Sequence, residues 1–498
     1  MSLSDQNGKV KEEAVRSAKW ALVARVSQVL GQAAMTLLLP FWLAPEDFGI
    51  ITMFTSVLAL VIILQQAGLM EATVQRDRDA ESVRDTAFWL SAIIGLLLYI
   101  AVHLLAPVIS QFFGEPRLTL PLRIASLQVI LLGFSNILLA WMMRTFRYRP
   151  YALAQLISSL VMIAAAALFA VRGLGYWAYI AGILGGALVR LLLAWRWSDW
   201  RPRLRLQVQW LPTLVKFGGF VTLEMVLGWF LVWFDNVIVA RALGSEAAGI
   251  YALAFNIANM TVSIPCSAVT GITLSTFSRM QQDAAALRSA YLKGSSLIAA
   301  YAIPAGIGLA LLGPAFAGAL YPGRWDGLGA ILPVLALYAG FGHLWILNTD
   351  AFKAIGKPQT MLKIYLPVVA VMLPVYLWSV HFGLLPFTIA RSLIVLIGAV
   401  PHTWYAVRSL GLPERYLWDV VRPPLFASAV MAALVWGASA ILGGLVIPST
   451  PVHLALLLSI VVGGGLVYWL VLRALAPDFS SQAVDLLQRS LGWRDGHG

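Results

Sequence analysis

Apolar residues fill this chain in long continuous runs separated by short polar links. Fourteen runs are predicted as spans: 15–40, 46–69, 85–113, 119–144, 149–171, 174–196, 211–242, 247–272, 286–313, 325–350, 360–382, 384–407, 421–446 and 452–474. About 20 apolar residues cross a ~30 Å hydrocarbon core. Lipid offers no partner to open backbone groups, so a spanning run is a helix or part of a closed barrel. Barrel strands alternate over ~10 residues. These runs do not alternate, so the pattern predicts an all-α, polytopic membrane protein of about 14 transmembrane helices. The very short links 41–45, 172–173, 243–246 and 447–451 predict antiparallel hairpins.

Two links resemble each other. Leu43-Ala44-Pro45-Glu46-Asp47-Phe48-Gly49-Ile50 returns as Leu243-Gly244-Ser245-Glu246-Ala247-Ala248-Gly249-Ile250. A second echo sets Phe146-Arg147-Tyr148-Arg149-Pro150 against Phe352-Lys353-Ala354-Ile355-Gly356-Lys357-Pro358. A duplicated membrane protein is implied, the plan on which many transporters build a cavity between pseudo-symmetric halves.

Composition agrees. The 498 residues are 60% hydrophobic and 12% charged, about half the charge of a soluble chain, ~25%. Mean hydropathy is +0.81. The lone cysteine, Cys266, rules out a disulfide framework or a CxxC metal site within the chain. The first run is too long for a signal-peptide core and reads as an uncleaved span. A net charge of +12 raises the question of nucleic acid, but its distribution answers it. Of the 35 Lys and Arg, 26 fall on one side of the spans and Arg117, Arg172, Arg241 and Arg324 on the other. Short-loop Lys and Arg mark the cytoplasm, so both termini are expected there and the charge is a topology signal. The expected organisation is an N-terminal lobe 1–197, a basic cytoplasmic linker 198–210, a C-terminal lobe 211–408, two further spans in 409–476 and a cytoplasmic tail 477–498. The Trp- and Arg-rich linker reads as a tether whose aromatics sit at the inner leaflet.

No catalytic constellation stands out. The six histidines form no HExxH or i,i+4 pair. Gly463-Gly464-Gly465 lacks a following Lys-Ser/Thr and reads as close helix packing. No cofactor is implied. What remains is polarity inside the spans, where an ionised side chain costs at least ~2.5–3.5 kcal/mol and faces a cavity or a partner. Arg25, Gln28 and Gln32 share a face of the first span. Lys216, Glu224 and Asp235 lie in the seventh, the last two eleven residues apart and on one face. Asn256, Asn259 and Ser263 stripe the eighth; Arg123, Arg190 and Arg391 interrupt others. For each a plainer reading stands beside the functional one. Arg123, Arg190 and Lys216 lie close enough to span ends to snorkel. The Asn and Gln stripes serve equally as helix glue. Glu224 and Asp235 serve either as structural partners of the cations or as coupling groups. Five cations against two deep carboxylates favour an anionic group such as a phosphate or pyrophosphate.

Gly68-Leu69-Met70-Glu71-Ala72-Thr73-Val74-Gln75-Arg76, Thr86-Ala87-Phe88-Trp89-Leu90, Ala106-Pro107, Phe112-Phe113-Gly114-Glu115-Pro116 and Arg144-Thr145-Phe146-Arg147 carry a resemblance. Trp200-Arg201-Pro202-Arg203, Phe217-Gly218, Asp235-Asn236 and Arg241-Ala242-Leu243-Gly244 extend it. Together these motifs resemble the Wzx-type polysaccharide flippases of the multidrug/oligosaccharidyl-lipid/polysaccharide (MOP) exporter superfamily, of the colanic-acid and xanthan kind. The likeness is dense in the first half and runs to about Pro358. It implies two pseudo-symmetric six-helix lobes around a central cavity, plus two C-terminal helices. It also implies an undecaprenyl-pyrophosphate-linked oligosaccharide, moved across the bacterial inner membrane from the cytoplasmic to the periplasmic leaflet for exopolysaccharide or O-antigen assembly. Membrane lipids and a polysaccharide polymerase are the further partners. Arg25, Gln28, Gln32, Arg123, Lys216, Arg391, Asn256 and Asn259 are then the candidate substrate contacts, with Glu224 and Asp235 for ion coupling or structure. Phe41 stands where the second repeat has Arg241, which speaks against a symmetric role for that arginine. A lipid II flippase, a multidrug/cation antiporter and a membrane glycosyltransferase or polymerase are the competing readings. The longest outer link, roughly Gly313 to Arg324, carries no carboxylate, against the enzyme.

Overall fold

The computed structural model describes residues 3–66, 80–204, 207, 211–357, 360–443 and 450–477. Among these, regular structure is helical and no strand occurs. The motif Gly68 to Arg76 and most of the tail lie outside the described residues. The first helices are α1 (Leu3–Leu38), α2 (Pro45–Gln66), α3 (Ala80–Phe113), α4 (Thr119–Ala125), α5 (Leu127–Arg144), α6 (Tyr148–Val171) and α7 (Trp177–Trp197). The long α8 (Leu211–Arg279) is followed by α9 (Ala284–Leu320), α10 (Leu328–Gly342), α11 (Ile346–Ala354), α12 (Thr360–Ser379), α13 (Leu384–Leu410), α14 (Tyr416–Gly443) and α15 (Thr450–Leu475).

Thirteen stretches among the described residues are long and apolar enough to cross a membrane, one of them Met225–Ser267 at 43 residues. Within it Gly244 has φ 86° and ψ −177°, a conformation that only glycine visits cheaply. The backbone turns there, so the stretch counts as two spans and the total reaches the fourteen predicted. The chain divides into two compact units, Met1–Ala252 and Leu253–Gly498.

The duplication is written into the packing. In the first unit α3 crosses α5 at Gly95 and Gly133. A Cβ on Gly133 would stand 2.9 Å from the Ser91 carbonyl oxygen, and one on Gly95 3.1 Å from that of Val129. In the second unit α9 crosses α10 at Gly306 and Gly340, where a Cβ would meet the Ala336 and Ala302 oxygens at 2.8 Å. In both places each glycine faces the carbonyl four residues before its partner. Small residues at such crossings let backbones approach without hydrophobic help from lipid.

The helices ending at Arg144 and Ala354 carry matching caps. Arg147 N–H donates to Met142 O at 2.8 Å, and Lys357 N–H to Phe352 O at 2.9 Å. The left-handed residue is Phe146 (φ 55°) in one and Gly356 (φ 72°) in the other, as such a cap requires. Structure therefore aligns Arg147 with Lys357, a register four residues on from the sequence pairing with Lys353. Of the triple glycine, only Gly464 sits at a close approach: a Cβ there would stand 2.8 Å from Val435 Cγ2, while one on Gly463 or Gly465 would meet nothing within 4 Å.

The two copies of the link motif pack on each other, both within the first unit. A Cβ on Gly49 would fall 1.8 Å from the Ser245 oxygen, and one on Gly249 1.9 Å from the Pro45 oxygen. Positions 45, 49, 245 and 249 correspond in the repeat, so the contact is self-complementary, as at a two-fold axis. Beside it Glu115 accepts from Arg117 Nε at 2.8 Å and Nη2 at 2.9 Å, and the Ser245 hydroxyl also hydrogen-bonds to it. The Arg117 bonds hold the Glu115 carboxyl below its ordinary range. A depressed carboxylate contributes stability above its unfolded pKa and loses it as pH falls through the folded value. Unfolding midpoints scanned toward acid pH should therefore fall less in Glu115→Gln than in the unaltered protein.

The basic linker is fastened rather than loose. Trp200 is 7% exposed and joins the cluster of Phe88, Met142 and Ala194. Its indole donates to Asp85 Oδ1 at 2.9 Å, and the Arg84 guanidinium lies 4.4 Å from its ring and 4.2 Å from that of Trp141. Trp89 Nε1 donates to Arg203 O at 2.8 Å, and Gln207 N–H to Thr86 Oγ1 at 3.2 Å. Composition alone puts the linker's aromatics at the leaflet; Asp85 and Arg84 instead give the Trp200 indole a buried partner and a cation to stack on. Trp200→Ala should cost about 3–5 kcal/mol, read as a lowered thermal midpoint in detergent.

Candidate functional site

In the first unit, Ala24, Ser27, Gly31 and Met35 form the buried face of α1, while Arg25 and Gln32 are exposed and Gln28 half-buried. Gly31 seats this helix against Ser159 and Met162 of α6. An exposed arginine and glutamine within a span are disfavoured against hydrocarbon. Arg123 is used otherwise: its Nε donates to His103 O at 3.1 Å.

Asp235 is 2% exposed. Its Oδ2 accepts from the Tyr251 hydroxyl at 2.6 Å, and its Oδ1 from Asn236 N at 2.8 Å and Nδ2 at 3.0 Å. Asp235 and Tyr251 lie on opposite sides of the Gly244 turn, so this carboxylate ties the two arms of α8 together. The side chains of Lys216 and Glu224 lie outside the described ones.

A second polar system runs through the first unit, and local sequence pattern does not reveal it. Arg190 Nη2 donates to Asn136 Oδ1 at 3.1 Å, and Asn136 Nδ2 to Gln65 Oε1 at 3.3 Å. Gln65 Nε2 donates to Ser91 Oγ at 2.9 Å, whose hydroxyl donates to Gly133 O at 3.0 Å. Four helices, α7, α5, α2 and α3, are thus threaded by bonds that all point the same way. Arg190 is held by this relay and does not snorkel.

In the second unit Arg391 is fully buried, with its guanidinium 4.0 Å from the Tyr338 ring centre and 5.0 Å from that of Phe255. Stacking on two rings shelters a cation from solvent, so in this conformation Arg391 lies inside its unit. Asn256 and Asn259 are half-buried on the second arm of α8. His402, one of the scattered histidines, belongs to a buried network. Its Nδ1 accepts from Asn348 Nδ2 at 2.9 Å, Tyr291 donates its hydroxyl proton to Asn348 Oδ1, and the Tyr291 and Tyr416 hydroxyls lie 3.0 Å apart. Each partner sits on a different helix, so no local spacing announced it. Among the described residues no group of three His, Cys, Asp or Glu could hold a metal ion.

The chain is a multi-pass helical protein with repeated Gly crossings and polar groups set inside its spans, and solved structures of MOP transporters share its fold. A solved structure, the lipid II flippase MurJ in an inward closed conformation, matches with a TM-score of 0.73 over 93% of this chain and 99% of its own, at 15% identity. An inward-facing multidrug resistance MATE family transporter of the MOP superfamily matches at 0.64, over 77% of this chain and 94% of that one, with 16% identity. The chain belongs to the polysaccharide biosynthesis protein family, whose model matches residues 39–329. The succinoglycan biosynthesis transport protein ExoT of Rhizobium meliloti (strain 1021) is 24% identical over 422 residues, 84% of this chain and 85% of that protein. The lipopolysaccharide biosynthesis protein WzxC of Escherichia coli (strain K12) is 24% identical over 356 residues, 70% of this chain and 69% of that one.

Proposed function

We propose that the protein is a flippase that moves an undecaprenyl-pyrophosphate-linked oligosaccharide from the cytoplasmic to the periplasmic leaflet of the bacterial inner membrane. It works by alternating access of two lobes, 1–197 and 211–408, with both termini cytoplasmic, and is coupled to an ion gradient. The observation that carries this reading is the strip of exposed Arg25 and Gln32 and half-buried Gln28 within the first span in a chain of a polysaccharide biosynthesis family. A guanidinium suits a phosphoryl oxygen through paired, charge-assisted bonds, and glutamine amides suit sugar hydroxyls. Asp235 is the coupling candidate: it is a buried carboxylate whose bonds to Tyr251 and Asn236 join the two arms on either side of the Gly244 turn. A polysaccharide polymerase on the far side would consume the delivered unit.

The test is the leaflet location of the lipid-linked oligosaccharide in cells lacking the protein. Complete units trapped on the cytoplasmic side are the expected result. Units that reach the periplasm but stay unpolymerised would overturn the reading and favour an enzyme acting after the flip.

A further inference from the structure

The polar relay of the first unit ends on an arginine whose charge its surroundings leave uncompensated. Arg190 lies seven residues, roughly 10 Å of helix, from the linker-proximal end of α7 at Trp197. Among the described residues it has no carboxylate within ion-pair distance. One edge of the guanidinium is fixed by Asn136 Oδ1 at 3.1 Å, and Asn136 is itself 5% exposed and held by Gln65. The Arg190 Nε is buried and meets no acceptor among the described residues.

A second orphaned donor lies level with it. Gln155 is 3% exposed, and its Nε2 likewise meets no acceptor among the described residues. The register of α6 on α7 is fixed by glycines: Gly182 faces Met162 and Ala166, and Gly186 faces Ser158 and Met162. The helices run antiparallel, so one further turn along α7 brings residues 154–158 opposite Arg190, and Gln155 falls in that window.

A buried donor without an acceptor is destabilising, and an unpaired buried charge more so. Both groups here are donors, and one is cationic. Their common complement is an oxyanion rich in acceptors. We infer that Arg190 and Gln155, with Asn136 and Gln65 as positioning residues behind the arginine, form a binding site for a phosphoryl group inside the first unit. The relay fits this role. It runs from Arg190 through two amides and a hydroxyl to the Gly133 carbonyl, so every intermediate group is satisfied and the guanidinium is held by one edge with Nε left over. A merely structural arginine in such a network would be expected to meet a carboxylate. The phosphoryl group belongs either to a substrate pyrophosphate, in which case the site rests on the flippase reading, or to a membrane phospholipid.

The experiment uses the full-length protein purified in detergent and follows its thermal midpoint against inorganic pyrophosphate. It is repeated in mixed micelles of phosphatidylglycerol and of phosphatidylcholine. The unaltered protein should be stabilised by pyrophosphate, and Arg190→Gln should lose at least about tenfold in apparent affinity, the weight of one charge-assisted contact. Gln155→Glu is the discriminating variant, because a carboxylate at 155 supplies the missing counter-charge from within. It should keep or raise the midpoint of the ligand-free protein while abolishing the pyrophosphate response. A response confined to pyrophosphate assigns the site to substrate. A response to phosphatidylglycerol over phosphatidylcholine that Arg190→Gln removes assigns it to lipid. Unchanged pyrophosphate and phosphatidylglycerol responses in both variants, or none in the unaltered protein, overturn the site. Binding is read without transport, so these outcomes stand apart from the leaflet assay.

Discussion

Gly249→Val should abolish export, with Gly49→Val doing the same. A β-carbon at 249 would fall 1.9 Å from the Pro45 carbonyl oxygen and 2.9 Å from the Gly49 nitrogen. Overpacking costs ~1–3 kcal/mol where side chains can yield; here the obstacle is main chain on both sides, so the helices must part. Gly463→Ala, which meets nothing within 4 Å, is the control and should export normally. Complementation of a deletion strain, with protein quantified in membranes, reads the result. Normal export by Gly249→Val would show that this contact is not made in the working cycle.

Arg25→Ala should reduce export at least ~10-fold, in line with the ~1.5–3 kcal/mol of a hydrogen bond to a charged group, while membrane levels stay unchanged. The side chain is exposed within the first span and packs no core, so its removal leaves no cavity. Arg25→Lys should fall between, since an ammonium keeps the charge but loses the fork that engages two oxygens. Export at the unaltered level by Arg25→Ala would sink the assignment of the strip to substrate.

The spans and the duplication were legible because both are local: continuous apolar runs fix helices, and Gly49 and Gly249 recur in matching links. The same sequence puts the second echo four residues out. The cap that defines its register needs a left-handed residue, and nothing about Phe146 announces that it supplies what Gly356 supplies at the matching point. The interior chemistry was hidden for another reason. Gln65, Asn136, Arg190 and His402 fall in mostly apolar runs whose local pattern names no partner for them. Their partners lie tens of positions away, 71 from Gln65 to Asn136 and 54 from Asn136 to Arg190. By position alone Arg190 is a residue that could snorkel, which the Asn136 bond excludes. Arg391 was legible as a buried cation, yet the two rings that enclose it, Phe255 and Tyr338, come from other helices.

The fastening of the linker sets a mechanical limit on the helix beyond it. Trp200, Arg203 and Gln207 are each tied to the first turns of α3, at Asp85, Trp89 and Thr86. Only three residues separate the last of these anchors from the start of α8 at Leu211, four residue steps and a leash of roughly 13–14 Å at full stretch. The N-terminal end of α8 can therefore pivot about the foot of α3 but not travel far from it. Glycine-serine insertions between Gln207 and Leu211 would lengthen the leash without touching a single polar group in the spans, turning linker length into a dial on the transport cycle.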